Sequence, residues 1–258
     1  MKSISSRQNP LFKRISAAIR QHDDEIVIEG PKPVADAIAC GWKPIEVVRR
    51  GVMSVIPSEV EGSPSRAEGR GSLDFARDDT VAFAPELFDA LAETKSPQNV
   101  IGLFERPRAA AADILRRRET VTIALDGVQD PGNVGTIVRL AAAFDAAGVL
   151  LLPGCADPFG PKAIRSSVGA ILNVPIASVT AEELLEARVN LVAADMSGAA
   201  TDPPSRDAVF VFGNEGSGVS EELMRAAATI AIPMSARVES LNVASSAAIL
   251  LARSFALR

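Results

Sequence analysis

Three short segments bring together residue types that can hold a small molecule and orient a polar nucleophile. The first is Leu125-Asp-Gly-Val-Gln-Asp-Pro-Gly-Asn-Val-Gly-Thr-Ile-Val-Arg139. The second is Val211-Phe-Gly-Asn-Glu-Gly-Ser-Gly218, and the third is Ile232-Pro-Met-Ser-Ala-Arg-Val-Glu-Ser-Leu-Asn-Val-Ala244. Asn and Ser side chains donate and accept hydrogen bonds, Glu accepts them and Arg donates them. Glycines let the backbone approach a ligand closely and take positive φ. Each residue also has an ordinary structural role. Asn133 can bond backbone in a first helical turn, Glu215 can favour a helix N-terminus, and Asn242 is a normal helix cap. Arg139 lies two residues from Ile137, off the buried stripe expected for its helix, so it can equally be a surface arginine. The Gly213–Gly218 loop precedes a helix and could cradle a phosphate. It lacks the closing Gly-Lys-Ser/Thr of a P-loop, and no Gly-x-Gly-x-x-Gly opens the first strand–helix unit, which weakens a dinucleotide reading.

The elements that must position these segments follow from periodicity. Strands are expected at Thr122–Leu125, Val149–Leu152, Val174–Ala177, Asn190–Ala194, Ala208–Phe212 and Thr229–Ile232, with helices between most of them. The strands are continuously apolar, as in a parallel sheet covered on both faces, and the class is α/β. Asp130-Pro131 starts a helix, with Asp as cap and Pro at the first position. That helix is expected to bury Ile137, Leu140, Ala141 and Phe144 and to stop at Gly148. A final helix spans Asn242 to Leu257. All three segments follow strands, and open α/β sheets bind ligands beyond the carboxyl ends of their strands, so the segments could share one site.

The first 105 residues read differently. Helices are expected at Ser6–Ile19, Pro33–Ala39 and Pro85–Ala92, and strands at Ile26–Glu29, Ile45–Val48, Val81–Phe83 and Val100–Glu105. Ser96–Asn99 reads as a turn. Residues 52–79 are rich in Ser, Gly, Glu and Arg with little apolar periodicity, which reads as an inserted mobile loop. Residues 106–119 suit an interdomain helix or linker. Two domains result, 1–105 and 120–258, joined by a linker at 106–119.

Composition excludes several classes. Of the 258 residues, 47% are apolar and 23% charged, enough apolar residues for a packed core. No apolar run is long enough for a bilayer and the polar N-terminus is no signal peptide, so a cytoplasmic protein is expected. Cys40 and Cys155 are isolated, which indicates neither a disulfide framework nor a zinc site. The only histidine, His22, sits in an acidic run and is expected at the surface, so mechanisms needing a His base are excluded. The net charge of −5 argues against wholesale nucleic-acid binding. However, residues 1–20 carry Lys2, Arg7, Lys13, Arg14 and Arg20 and no acid, a segment that could track phosphates or simply be a solvated helix face.

Taken together, the three ordered segments resemble the motifs of the SpoU/TrmH family of the SPOUT superfamily. Asp157-Pro-Phe-Gly-Pro-Lys-Ala-Ile-Arg-Ser-Ser-Val-Gly169 resembles it too, and the likeness spans about Val121 to Leu257. The first 105 residues are similar to the small, ribosomal-protein-like RNA-binding domain of many rRNA-directed members. The resemblance implies a trefoil-knotted parallel-sheet domain, a homodimer, and 2′-O-ribose methylation of RNA with S-adenosyl-L-methionine. Ribosomal RNA, the 23S species, is the implied substrate; transfer RNA, or a non-catalytic RNA-binding role on the same fold, are the alternatives. It places cofactor contacts at Gly213, Gly218, Ile232, Met234, Leu241 and Asn242. It also makes Asn133, Arg139, Glu215, Ser240 and Asn242 the active-site positions, with Arg139 central to catalysis and no metal required. A guanidinium is a poor base, so stabilisation of an incipient alkoxide is the role that suits it.

Overall fold

The computed structural model describes residues 3–51, 81–92 and 98–258. The insert expected at 52–79 and the first half of the turn expected at Ser96–Asn99 lie outside the described residues. The chain divides into two compact units, one up to Arg106 and one from Pro107 onward.

The first unit contains β1 (Ser3–Ile4), α1 (Pro10–Gln21), β2 (Glu25–Glu29), α2 (Pro31–Ala39), β3 (Pro44–Arg50), β4 (Val81–Phe83), α3 (Pro85–Asp89) and β5 (Val100–Glu105). Its sheet runs in the order β1-β4-β3-β5-β2. The β4 strand pairs in parallel with β1 and β3, and β5 pairs antiparallel with β3 and β2. As a central strand, β5 buries every residue from Val100 to Phe104, whereas edge strand β2 buries only Ile26 and Ile28. Ile15, Val48, Phe83, Phe88 and Leu103 form the core.

Helix α1 starts four residues later than expected. The Asn9 side chain accepts a hydrogen bond from the Leu11 amide at 2.9 Å, and Pro10 takes the first helical position where its missing N–H costs nothing. His22 is a half-buried C-cap at φ 48° rather than a solvated surface residue. Within the basic run, Arg14 is paired with Glu25, while Arg7 and Lys13 are exposed.

The second unit contains α4 (Ala111–Leu115), β6 (Val121–Asp126), α5 (Pro131–Ala143), β7 (Val149–Leu151), α6 (Pro161–Ser167), a 3₁₀ turn (Ala170–Leu172), β8 (Ile176–Ser178), α7 (Ala181–Glu186), β9 (Leu191–Ala199), β10 (Ala208–Gly213), α8 (Glu221–Ala226), β11 (Ala228–Ile230) and α9 (Val243–Ala256). Its six strands are all parallel, in the order β11-β9-β10-β6-β7-β8. The chain moves outward from β6 through β7 to β8. It then crosses to the other half of the sheet and inserts β10 between β9 and β6. That reversal makes β6 and β10 the switch point of the sheet, where open α/β folds leave a crevice.

One sheet face, through Ala124, Leu150, Ala193, Val209 and Val211, packs on Ile114 of α4, Leu184 of α7 and Leu223 of α8. Thus α4, in the stretch read from sequence as an interdomain helix or linker, is a helix anchored in this core by Ile114. The other strand residues alternate to the opposite face. There α5 packs against both α6 and α9. A Cβ at Gly135 would sit 2.2 Å from the Ala163 carbonyl, so only glycine allows α5 and α6 to approach this closely. This clasp changes the buried stripe of α5. Val134, Gly135, Ile137, Val138 and Ala141 are buried, whereas Leu140 and Phe144, expected in the core, are only partly covered. Phe144 instead meets Phe255 of α9.

Candidate active site

Strands β6, β10 and β11 run in the same direction, so the loops leaving them emerge along one edge of the sheet. The pairing of Gly213 with Asp126 places the second segment directly beside the first. Asn214 fixes the second loop from within. Its side-chain oxygen accepts from the amides of Gly216 at 2.8 Å and Ser217 at 3.1 Å, and its side-chain nitrogen donates to the Gly127 carbonyl at 2.7 Å. The loop closes on itself through mutual backbone bonds of 3.0 Å between Asn214 and Gly218. A Cβ on Gly213 would lie 2.1 Å from the Gly218 carbonyl carbon and 2.2 Å from the Val219 nitrogen, so the closed loop requires glycine there.

Three polar side chains, one from each segment, form a directional relay. The Asn242 side-chain oxygen caps α9 by accepting from the Ala244 and Ser245 amides at 2.9 and 3.3 Å. Its Nδ2 donates to Asn133 Oδ1 at 3.1 Å. Asn133 Nδ2 in turn donates to the Glu215 carboxylate at 2.9 Å. The Gln129 amide adds a bond of 3.3 Å to Glu215, with the Asp130 amide at 3.5 Å. Each amide is therefore locked in one orientation, and the relay ends on a charge at the N-terminus of α5, which favours an anion. Burial raises the Glu215 pKa, but the bonds from Asn133 and the backbone amides outweigh it and hold the carboxyl below its ordinary range. At neutral pH Glu215 is an acceptor that organises Asn133, and it does not supply a proton. Next to it, the Lys162 ammonium and the Gly132 amide hold the helix cap Asp130 below the usual carboxylate range.

The relay borders a cavity of about 570 Å³. Its walls include Gly213, Glu215, Gly218, Ile232, Met234, Ser240, Leu241 and Asn242. Of the residues singled out from sequence, these eight meet in one place. Asn133 touches two of them but does not line the cavity. Arg139 is exposed and also lies outside the lining, about 9 Å along the α5 axis from Asn133 at 1.5 Å per residue. Sequence reasoning missed Asn214, Glu239 and, within β9, Asp195 and Met196, all of which line the cavity. Strand β9 was expected to end at Ala194. The rule that ligands lie beyond the carboxyl ends of parallel strands could have pointed to the next residue.

Residues 120–252 match the SpoU rRNA Methylase family. The chain belongs to the SpoU rRNA methylase family. One relative is a 23S rRNA (adenosine(1067)-2'-O)-methyltransferase of Streptomyces laurentii, 31% identical over 265 residues, which cover 97% of this chain and 94% of the relative. Another is a 23S rRNA (uridine(2479)-2'-O)-methyltransferase of Streptomyces viridochromogenes, 28% identical, with 96% and 90% covered. Among solved structures, the AdoMet-bound rRNA methyltransferase from Sinorhizobium meliloti matches with a TM-score of 0.81 and 30% identity, covering 98% of this chain and 97% of that one.

The cavity of this SpoU methylase suits S-adenosylmethionine, the molecule bound in the Sinorhizobium meliloti structure. Ile230, Ile232, Met234 and Leu241 supply apolar surface for a purine. The bare Gly213 lets backbone come close, and the wall offers carboxylates to a cation. The volume lies within the range of about 300–1,000 Å³ typical of small-ligand sites.

Proposed function

We propose that this SpoU methylase transfers a methyl group from S-adenosylmethionine to a ribose 2′-hydroxyl of ribosomal RNA, in the 23S species. The observation that carries the proposal is the relay from Asn242 through Asn133 to Glu215, which joins the three segments beside the cavity. The bound donor supplies a sulfonium methyl, which is electrophilic without help from a metal. What remains for the protein is to orient the hydroxyl and ease the loss of its proton.

Asn133 and Asn242, held by the relay, fix the polar edge against which a ribose is aligned, and alignment is a large share of such catalysis. The Ser240 hydroxyl lines the cavity, has no side-chain partner among the described residues, and bonds the substrate. Arg139 is exposed on α5 and stabilises the incipient alkoxide or an adjoining phosphate. The unit up to Arg106 contacts RNA, a role supported by the exposed Arg7, Lys13 and Lys32 and by relatives matched along nearly their whole length. The unit from Pro107 is a trefoil-knotted domain. Support comes from the insertion of β10 between β9 and β6, and from the return of the chain after β11 to place Asn242 against Asn133. It works as a homodimer, for which the exposed apolar side chains of Val168 and Ile249 provide surface.

The test is transfer of labelled methyl from S-adenosylmethionine to ribosomal RNA, with the product digested in alkali. A 2′-O-methylated nucleotide resists cleavage, so one resistant position is expected. Arg139→Ala is expected to lose that product by about 100-fold or more while its donor affinity stays within about threefold. Label on a base, or only on transfer RNA, would overturn the assignment, and full activity of Arg139→Ala would remove Arg139 from the mechanism.

A further inference from the structure

The cavity wall carries three carboxylates, Asp195, Glu215 and Glu239, and no lysine or arginine among the described residues. Glu215 is engaged by Asn133 and two backbone amides. The other two carboxylates are not part of the relay. Asp195 lies in the middle of β9, two residues beyond Ala193, where the pairing with β10 stops, and is half-buried. One of its oxygens, Oδ1, accepts from the Ser197 amide at 2.8 Å and from the Ser197 hydroxyl at 2.5 Å. Its other oxygen has no hydrogen-bond partner among the described residues. Glu239 is exposed, one residue before Ser240, and has no ion-pair partner among them either. A half-open site with excess negative charge and no compensating side chain among the described residues favours a ligand of net positive charge.

The reaction changes the ligand in that respect. S-adenosylmethionine carries a sulfonium, an ammonium and a carboxylate, a net charge of about +1 at neutral pH. On methyl transfer the carbon–sulfur bond breaks and its electron pair stays on sulfur. A carbon–oxygen bond forms on the ribose, and the hydroxyl proton passes to solvent. The cofactor product is a neutral thioether whose net charge is about zero.

We infer that Asp195 and Glu239 are specificity-determining residues that hold the cationic methyl donor in preference to its thioether product, and so favour product departure. This rests on S-adenosylmethionine being the donor. The two carboxylates act through charge and touch no reacting atom. Their contribution is differential because it vanishes when the sulfonium does, unlike a hydrogen bond to the adenosine, which donor and product share.

The experiment is titration calorimetry of the full chain with S-adenosylmethionine and with S-adenosylhomocysteine, for wild type, Asp195→Asn, Glu239→Gln and the double variant, at low and high salt. Each substitution is expected to weaken the donor about threefold to tenfold, as for unit charges several ångströms apart in a partly hydrated site, and to leave the product within about twofold. In wild type the preference for donor over product is expected to shrink as ionic strength rises, because partly exposed charges are screened. Unchanged product affinity doubles as evidence that the variants are folded. If donor and product weaken by the same factor, Asp195 contacts a shared group and the inference is wrong. It is also wrong if neither affinity moves or if salt leaves the ratio unaltered. Failure of wild type to bind the donor at all would instead overturn the cofactor assignment.

Discussion

Replacing Asn133 with alanine breaks the relay at its centre. The substitution removes the 2.9 Å bond to the Glu215 carboxylate and the 3.1 Å bond from Asn242. A hydrogen bond to a charged group contributes about 1.5–3 kcal/mol and a neutral one about 0.5–1.5. Glu215 and Asn242 are both exposed, so water replaces part of each bond; the lower ends add to about 2 kcal/mol, and solvent screening brings the total to about 1–2 kcal/mol. Glu215 keeps its backbone amide partners, so no charge is stranded. For a protein of this size the loss corresponds to a fall in melting temperature of about 2–8 °C.

Because Asn133 does not line the cavity, donor affinity is expected to change by less than about threefold, whereas methyl transfer should fall by about 100-fold as the ribose loses its alignment. Thermal melts, calorimetry and single-turnover methylation measure the three quantities. Asn242→Ser sharpens the experiment, because serine still caps α9 but has no Nδ2 to donate. In a double-mutant cycle the two substitutions should couple by about 0.5 kcal/mol or more. Strict additivity, or a rate loss matched by an equal loss of donor affinity, would refute the relay as the organising element.

Two further outcomes follow from the same geometry. Gly213→Ala is expected to open the loop, because its methyl carbon would sit 2.1 Å from the Gly218 carbonyl carbon. Overpacking of this kind costs about 1–3 kcal/mol, and calorimetry should show donor binding weakened by more than tenfold; binding at wild-type strength would show that the loop does not shape the cavity. The second concerns acid. Glu215 has a lowered folded pKa, so its contribution to stability is complete above the unfolded value, about 4.3, and is lost as pH falls through the folded one. Glu215→Gln should therefore differ from wild type in stability at neutral pH and converge with it in acid, and parallel pH–stability curves would contradict this.

How far the sequence could be read depended on the range of the forces involved. Asp130-Pro131 and Asn242 declared their helix starts, because capping is settled within three residues. The parallel sheet was legible from continuous apolar runs such as Val121–Leu125. The stripe of α5 was misread at Leu140 and Phe144, because α6 and α9 clasp the helix from sides that its own periodicity does not record. The relay joins residues separated by 82 and by 109 positions. Its members could be named one by one, but their pairing depends on strand order. Asp195 carries no local motif, and only its place on β9, just past the stretch paired with β10, brings it to the cavity.

The order in which the relay residues occur along the chain bears on when this SpoU methylase becomes competent. During synthesis Asn133 and Glu215 emerge first, and both wait for Asn242, which precedes α9. A nascent chain with β6 and β10 already paired still lacks a donor for the Asn133 oxygen. On the proposed role of the relay, methyl transfer requires α9 to be present and docked on α5, and a chain truncated before Asn242 is expected to be inactive even with β6 and β10 paired.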